Sequence, residues 1–299
     1  MVVLEPWFIP VDIISIMGTG IAAILGLISL LIIIFDKKCH TLPMMLIANA
    51  SISAIAWGFS MFSIAIFTLQ NDLQQVQTYD IFCIVRPYFG YGLCGTFNFS
   101  FTLQAFYRYM LVVYPNRLFY QSTRFQLFLI ILTWIYGFIV PIEFIARDEV
   151  IYNVDNQICQ VPLHLSFSVI YMANCVYLIP IFIIILIYYK LLRYVKRLNT
   201  HTTSVNIVAR ARHELKMVTR IITIIMILLI LGIPYVIFIL MSFFTIPPKY
   251  HFRIAFIFLD VSMGCVLIVL FLFTDQFKRF IKPRRNIEPG TIVHIPITL

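Results

Sequence analysis

Apolar residues in this chain come in long unbroken runs rather than in alternation. Seven runs stand out, at 11–35, 42–69, 83–114, 125–145, 165–194, 215–244 and 252–273. Each matches or exceeds the roughly 20 residues a helix needs to cross the hydrocarbon core, whereas barrel strands take about 9–11 residues and alternate in polarity. The pattern predicts an all-α fold, a seven-transmembrane helix bundle forming one domain over residues 1–299. Length alone would suggest two soluble domains; the runs overrule it.

Composition agrees. Hydrophobic residues make up 61% of the chain and charged ones only 12%, against about 25% charged in soluble domains. A formal charge of +9 invites a nucleic-acid partner, but its distribution does not. With the N-terminus outside, 18 of the 22 Lys and Arg fall on the cytoplasmic face, leaving Arg86, Arg147, Lys249 and Arg253 on the other. Eight of the 13 acids, Asp12 and Asp72 among them, count to the outer face. The basicity is thus a topology signal that also draws anionic lipid to the inner leaflet, and no nucleic acid is implied. Seven spans then put the C-terminus inside. The first ten residues hold Glu5 and two prolines but no basic stretch, so the first span is expected to act as its own insertion signal.

Candidate chemistry is sparse. Histidines are scattered, no metal-ligand spacing appears, and no HExxH motif is present. "GTGIAA" at 18–23 matches a dinucleotide fingerprint, but no strand precedes it. Gly18, Ala22 and Gly26 read instead as a small-residue face for close helix packing. Asp260 is read as the one carboxylate inside a span, hence functional by default: a ligand counter-ion or a partner to another helix. No enzymatic activity, cofactor or metal is expected. Transporters show internal repeats and midplane polar groups, and neither is evident. Pro180 and Pro234 inside spans predict kinks.

Arg108 is the informative residue. It stands in "QAFYRYMLVVYP", 25 residues after Cys83, or about 37 Å along a helix. That places it near the cytoplasmic interface, as a snorkelling span end or as one half of an ion pair. Glu214 opens the sixth span on the same side, where a helix N-terminus also favours an acid.

In order and spacing the whole chain resembles the rhodopsin-like (class A) family of G-protein-coupled receptors, as a divergent member. Cys83 stands at the outer end of the third helix. Tyr107-Arg108-Tyr109 takes the place of the family's Asp-Arg-Tyr, with Pro115 seven residues on. Trp134 matches in the fourth helix, Pro180 and Tyr188 in the fifth, Glu214 and Pro234 in the sixth. "DQFKRFIK" fits the amphipathic helix after the seventh span, at 275–282. The resemblance implies a cell-surface receptor, multi-pass in the plasma membrane. It would bind an extracellular ligand and activate a heterotrimeric G protein through outward movement of the sixth helix; a transporter or channel is the alternative. It implies an Arg108–Glu214 latch, a Tyr188 that helps hold the open form, Tyr109 among the switch residues, and a disulfide between Cys83 and Cys159 in an oxidising compartment. Tyr107 in place of Asp removes one partner of Arg108 and should loosen the resting state.

The departures are equally specific. Gly26, Ala54 and Leu267 stand where the family carries Asn, Asp and Asn, so no side-chain oxygens are expected for its sodium site. Gly232 replaces a tryptophan two residues before Pro234. Gly90 stands where amine receptors have an Asp, and Val261 where opsins have a retinal-binding Lys, which disfavours both ligand classes. Residues expected by resemblance to line the ligand cavity are Arg86, Tyr91, Cys94, Tyr171, Asn174, Tyr235, Ile257 and Asp260. The acidic outer loops weakly favour a short basic peptide.

Overall fold

The structure is a computed structural model that describes residues 5–74, 81–164, 166–200, 205–274 and 277. Its helices are α1 (Phe8–Phe35), α2 (Leu42–Gln74), α3 (Val85–Val113), α4 (Thr123–Ile139), a short α5 (Ile142–Ala146), α6 (Phe167–Met172), α7 (Ile179–Thr200), α8 (Val205–Ser242) and α9 (His251–Phe273). A π-helical segment, Ala173–Leu178, joins α6 to α7, and the three together make the fifth span. Around the bundle α1 packs on α2 and α9, and α7 on α8, which packs on α9. The third helix touches α2, α4, α7 and α8 and so holds the centre.

Six of these spans are long and apolar enough to cross a membrane by composition alone; α3 is not among them. The reason lies in its position. Neighbours screen α3 from lipid, so its buried face can carry Gly92, Thr96, Asn98, Ser100, Thr102 and Gln104. The peripheral α1 shows the reverse. Asp12, Ser15, Gly18, Thr19, Ala22, Gly26 and Ser29 face the bundle, while Ile13, Met17, Ile24 and Leu27 face outward. With no hydrophobic drive between helices in lipid, small residues make the contacts. A Cβ at Gly18 would lie 2.8 Å from the Asp260 carbonyl oxygen, and one at Gly26 2.7 Å from Ile55. The stripe read from the sequence thus packs α1 on both neighbours.

Helix ends follow local chemistry. The Ser122 side chain accepts from the Phe125 N–H at 3.3 Å and starts α4; Ser166 does the same for Val169 at 3.2 Å and starts α6. The expected fourth span, 125–145, is broken at Val140–Pro141 into α4 and α5. The second and sixth helices run longer than their apolar runs, to Gln74 and from Val205. The amphipathic helix expected at 275–282 lies outside the described residues except for Phe277, which is buried and stacks on Phe271 at 5.1 Å.

The π segment has a cause. Pro180 has no N–H, so the Val176 carbonyl four residues earlier loses its helical partner. Asn98 on α3 donates its Nδ2 to that carbonyl at 2.9 Å, and the Tyr136 hydroxyl donates to the adjacent Cys175 carbonyl at 3.2 Å. Asn98→Leu is expected to cost about 1–3 kcal/mol by leaving a buried acceptor unsatisfied, measured as a fall in thermal stability in detergent. Unchanged stability would show that the π turn holds itself. Pro234, by contrast, lies within a continuous α8.

Candidate functional site

At the basic end of the bundle, Arg108 Nη1 lies 2.7 Å from Glu214 Oε2, with side chains 15% and 9% exposed. The bond runs from the last turns of α3 to α8. Partial burial strengthens the attraction over that of a surface pair, because the local dielectric is low. His213 Nδ1 approaches the other carboxylate oxygen at 3.6 Å. Below this pair Tyr109 and Tyr188 join Val112, Leu191, Val195 and Val218 in one apolar cluster across α3, α7 and α8. Tyr107 belongs to a different cluster, with Leu46 and Leu103. Pro115 is exposed and its carbonyl accepts from Gln121 Nε2 at 3.2 Å.

A second link at this end escaped sequence reading. Arg220 Nη1 donates at 2.6 Å to the Phe273 carbonyl, the last residue of α9. A cation at a helix C-terminus complements its dipole, so α8 is tied to both α3 and α9. Nothing in the sequence marks Arg220 apart from the other basic residues of the sixth span.

At the opposite end, the Cys83–Cys159 disulfide joins the start of α3 to the β-hairpin Ile151–Asn153/Ile158–Gln160, with Cα atoms 5.1 Å apart. On the same rim the Asp155 carboxylate, 3.4 Å from Lys249, holds that ammonium above its usual range. Burial pushes the Tyr152 hydroxyl up.

Of the eight residues expected around a ligand, only Tyr91, Cys94 and Tyr235 meet. The Tyr91 and Tyr235 hydroxyls are 3.1 Å apart, and the Cys94 thiol donates to Tyr177 at 3.2 Å. Tyr91 and Tyr235 border a cavity of about 190 Å³ between the fifth span and α8. Tyr171 stacks on Phe167 at 5.8 Å, and Asn174 is exposed and donates to its own helix at Ile170. The extra residue of the π segment turns the helix, so Met172, Val176 and Tyr177 line the cavity instead. Arg86 lies 4.1 Å over the Phe67 ring, beside α2. Ile257 is half-buried on α9 and does not line this cavity.

Asp260 lines a separate, smaller cavity of about 30 Å³ with Asp12 and Arg253. Here the sequence reading needs correction: Asp260 is not the one carboxylate inside a span. Asp12 lies within α1 and Asp72 within α2, both buried. Arg253 of α9 is buried too; its Nη1 and Nη2 each lie 2.7 Å from an Asp72 oxygen, and Nη1 lies 3.5 Å from Asp12. The guanidinium also sits 4.1 Å over the Phe8 ring. Three helices are thereby clamped at one point by residues 181 and 241 positions from Arg253 in the chain. Charge counting put these groups on the outer face because they lie at or just beyond the outer ends of apolar runs; only packing shows that they face one another.

The positions of the family's sodium site show the departures in place. Ala54 and Leu267 are buried among apolar groups, and a Cβ on Gly26 would meet Ile55. Nearby, Trp134 Nε1 donates to Asn49 Oδ1 at 2.9 Å, tying α4 to α2.

Comparison with known proteins agrees with this arrangement. Residues 27–270 match the family described as 7 transmembrane receptor (rhodopsin family). Among solved structures, the crystal structure of squid rhodopsin superposes with a TM-score of 0.72 at 16% identity, covering 95% of this chain and 84% of that one. No curated protein matches the sequence.

Proposed function

The chain belongs to the rhodopsin family of seven-transmembrane receptors, a receptor class that is not enzymatic, and from that premise we propose that it activates a heterotrimeric G protein at its basic end. The Arg108–Glu214 bond is the observation that carries this reading. It holds the inner ends of α3 and α8 together, and its opening frees α8 to swing out and Arg108 to receive the G protein's C-terminal helix. The activity is a population shift between two helix packings, driven by whatever ligand binds the open form better. In this reading the basic end faces the cytoplasm of the plasma membrane, the N-terminus lies outside, and anionic lipid surrounds the inner rim.

The ligand classes narrow. A fold shared with a retinal protein brings no retinal, because Val261 offers no amine for a Schiff base, and Gly90 offers no carboxylate for an amine. The acid count that favoured a basic peptide also falls. Asp12 and Asp72 are spent on Arg253, Glu143 on Arg147 at 2.6 Å, and Asp155 on Lys249.

The test is nucleotide exchange. Purified protein in nanodiscs is expected to speed GDP release from a heterotrimeric G protein at least several-fold, and Arg108→Ala to remove that effect while leaving the protein folded. Substrate flux into liposomes without exchange would favour transport and overturn the proposal.

A further inference from the structure

We propose that the cavity between the fifth span and α8 binds a neutral single-chain amphiphile that enters from the bilayer, its polar head at Tyr91 and Tyr235 and its chain toward the lipid. This rests on the receptor reading above and names the ligand class of its site.

Four observations carry it. First, among the described residues no Asp, Glu, Lys, Arg or His lines the cavity; its walls are residues such as Val176, Ile181 and Leu228. A basic side chain or carboxylate placed there would be buried without a partner, at a cost far above any hydrogen bond. Second, the cavity reaches the lipid-facing surface. Its lining includes Leu178, Val236 and Leu240, which are 55%, 52% and 51% exposed, and these residues belong to two neighbouring spans, so the mouth opens sideways between them. Third, the tyrosine hydroxyls of the lining gather on one side, while the other hydroxyl, that of Ser168, donates to Glu143 at 3.0 Å. The Tyr91–Tyr235 hydroxyl pair and Tyr177 lie toward α3, and each hydroxyl can both donate and accept, which suits a neutral hydroxyl or ester head. Fourth, the room is built in. Gly232 lines the cavity, and a Cβ there would meet nothing within 4 Å. The residue that breaks the family's tryptophan pattern is thus the one that leaves this space.

Size excludes the competing ligand. Sites for drug-sized molecules run from roughly 300 to 1,000 Å³, and this cavity of about 190 Å³ holds a single chain and not a folded peptide. Entry from lipid also removes the need to desolvate the chain, because it is already out of water.

The experiment uses a monoacylglycerol carrying a diazirine on its chain, incorporated with the receptor into nanodiscs and photolysed. Labelling is expected in residues 168–181 and 228–240 and is displaced by unlabelled monoacylglycerol. Gly232→Phe, which fills the cavity, is expected to cut this labelling at least tenfold. Val236→Trp, at the exposed mouth, should cut it severalfold, with thermal unfolding of both variants as the check on folding. A quaternary-ammonium amphiphile of the same chain length should label these segments at least tenfold less. Labelling that is unchanged in folded Gly232→Phe and Val236→Trp, or equal for the cationic probe, or spread over all lipid-facing helices, would overturn the site. Failure of the receptor reading looks different: the parent protein would not speed nucleotide exchange and Glu214→Gln would not raise it, whatever the labelling shows.

Discussion

Replacing Arg253 by methionine is expected to lower the unfolding temperature sharply and to reduce the yield of folded protein. Arg253 is 4% exposed and its guanidinium faces two carboxylates, Asp72 and Asp12, with Asp260 lining the same small cavity. Taking away one partner of a buried ion pair costs about 3–5 kcal/mol, because the remaining charge is left in a medium that cannot solvate it. Folded proteins are stable by only about 5–15 kcal/mol, so such a loss is seen directly as reduced yield and a lower unfolding temperature in detergent. The same physics predicts a rescue. Adding Asp72→Leu and Asp12→Leu to Arg253→Met removes the orphaned carboxylates and should recover most of the lost stability, since well-packed apolar residues often match or exceed a buried ion pair. If Arg253→Met alone unfolds like the parent, the clamp contributes nothing.

Glu214→Gln is expected to raise basal nucleotide exchange about tenfold. A charge-assisted hydrogen bond in a partly buried setting contributes on the order of 1.5–3 kcal/mol, and 1.4 kcal/mol is a factor of ten in an equilibrium. In the proposed mechanism the bond belongs to the closed packing of α3 against α8, so weakening it raises the open fraction. Arg108→Ala breaks the same bond yet should abolish exchange, because in that mechanism the open form uses Arg108 to hold the G protein. Opposite outcomes from the two halves of one bond separate a switch from a mere structural tie. Equal falls in exchange for both variants would leave only the tie.

Much of this was legible in the residues themselves. The spans could be read because lipid punishes any unpaired backbone group, so each crossing must be a long apolar helix. Arg108 and Glu214 could be paired because their places in the order of spans matched a known family pattern. Legibility stopped where helices meet side by side. Asn98 was one more polar residue in the third apolar run until the Pro180-freed Val176 carbonyl lay 2.9 Å away. Tyr171 and Asn174 were placed toward the ligand by counting along a regular helix, and the π segment turned that face by one residue.

The amino-acid sequence determined the number of crossings, the face on which the basic residues collect, the two cysteines near the rim and the glycine that replaces a bulky ring. These are properties of one segment at a time, fixed by transfer of side chains and backbone into hydrocarbon. Only the tertiary structure decided that Asp12, Asp72 and Arg253 neutralise one another, and that the space beside Gly232 opens toward lipid between two spans. Those outcomes depend on the rotation and register of each helix about its own axis. In a bilayer, which is apolar all around, small-residue contacts and buried polar pairs between helices set that rotation.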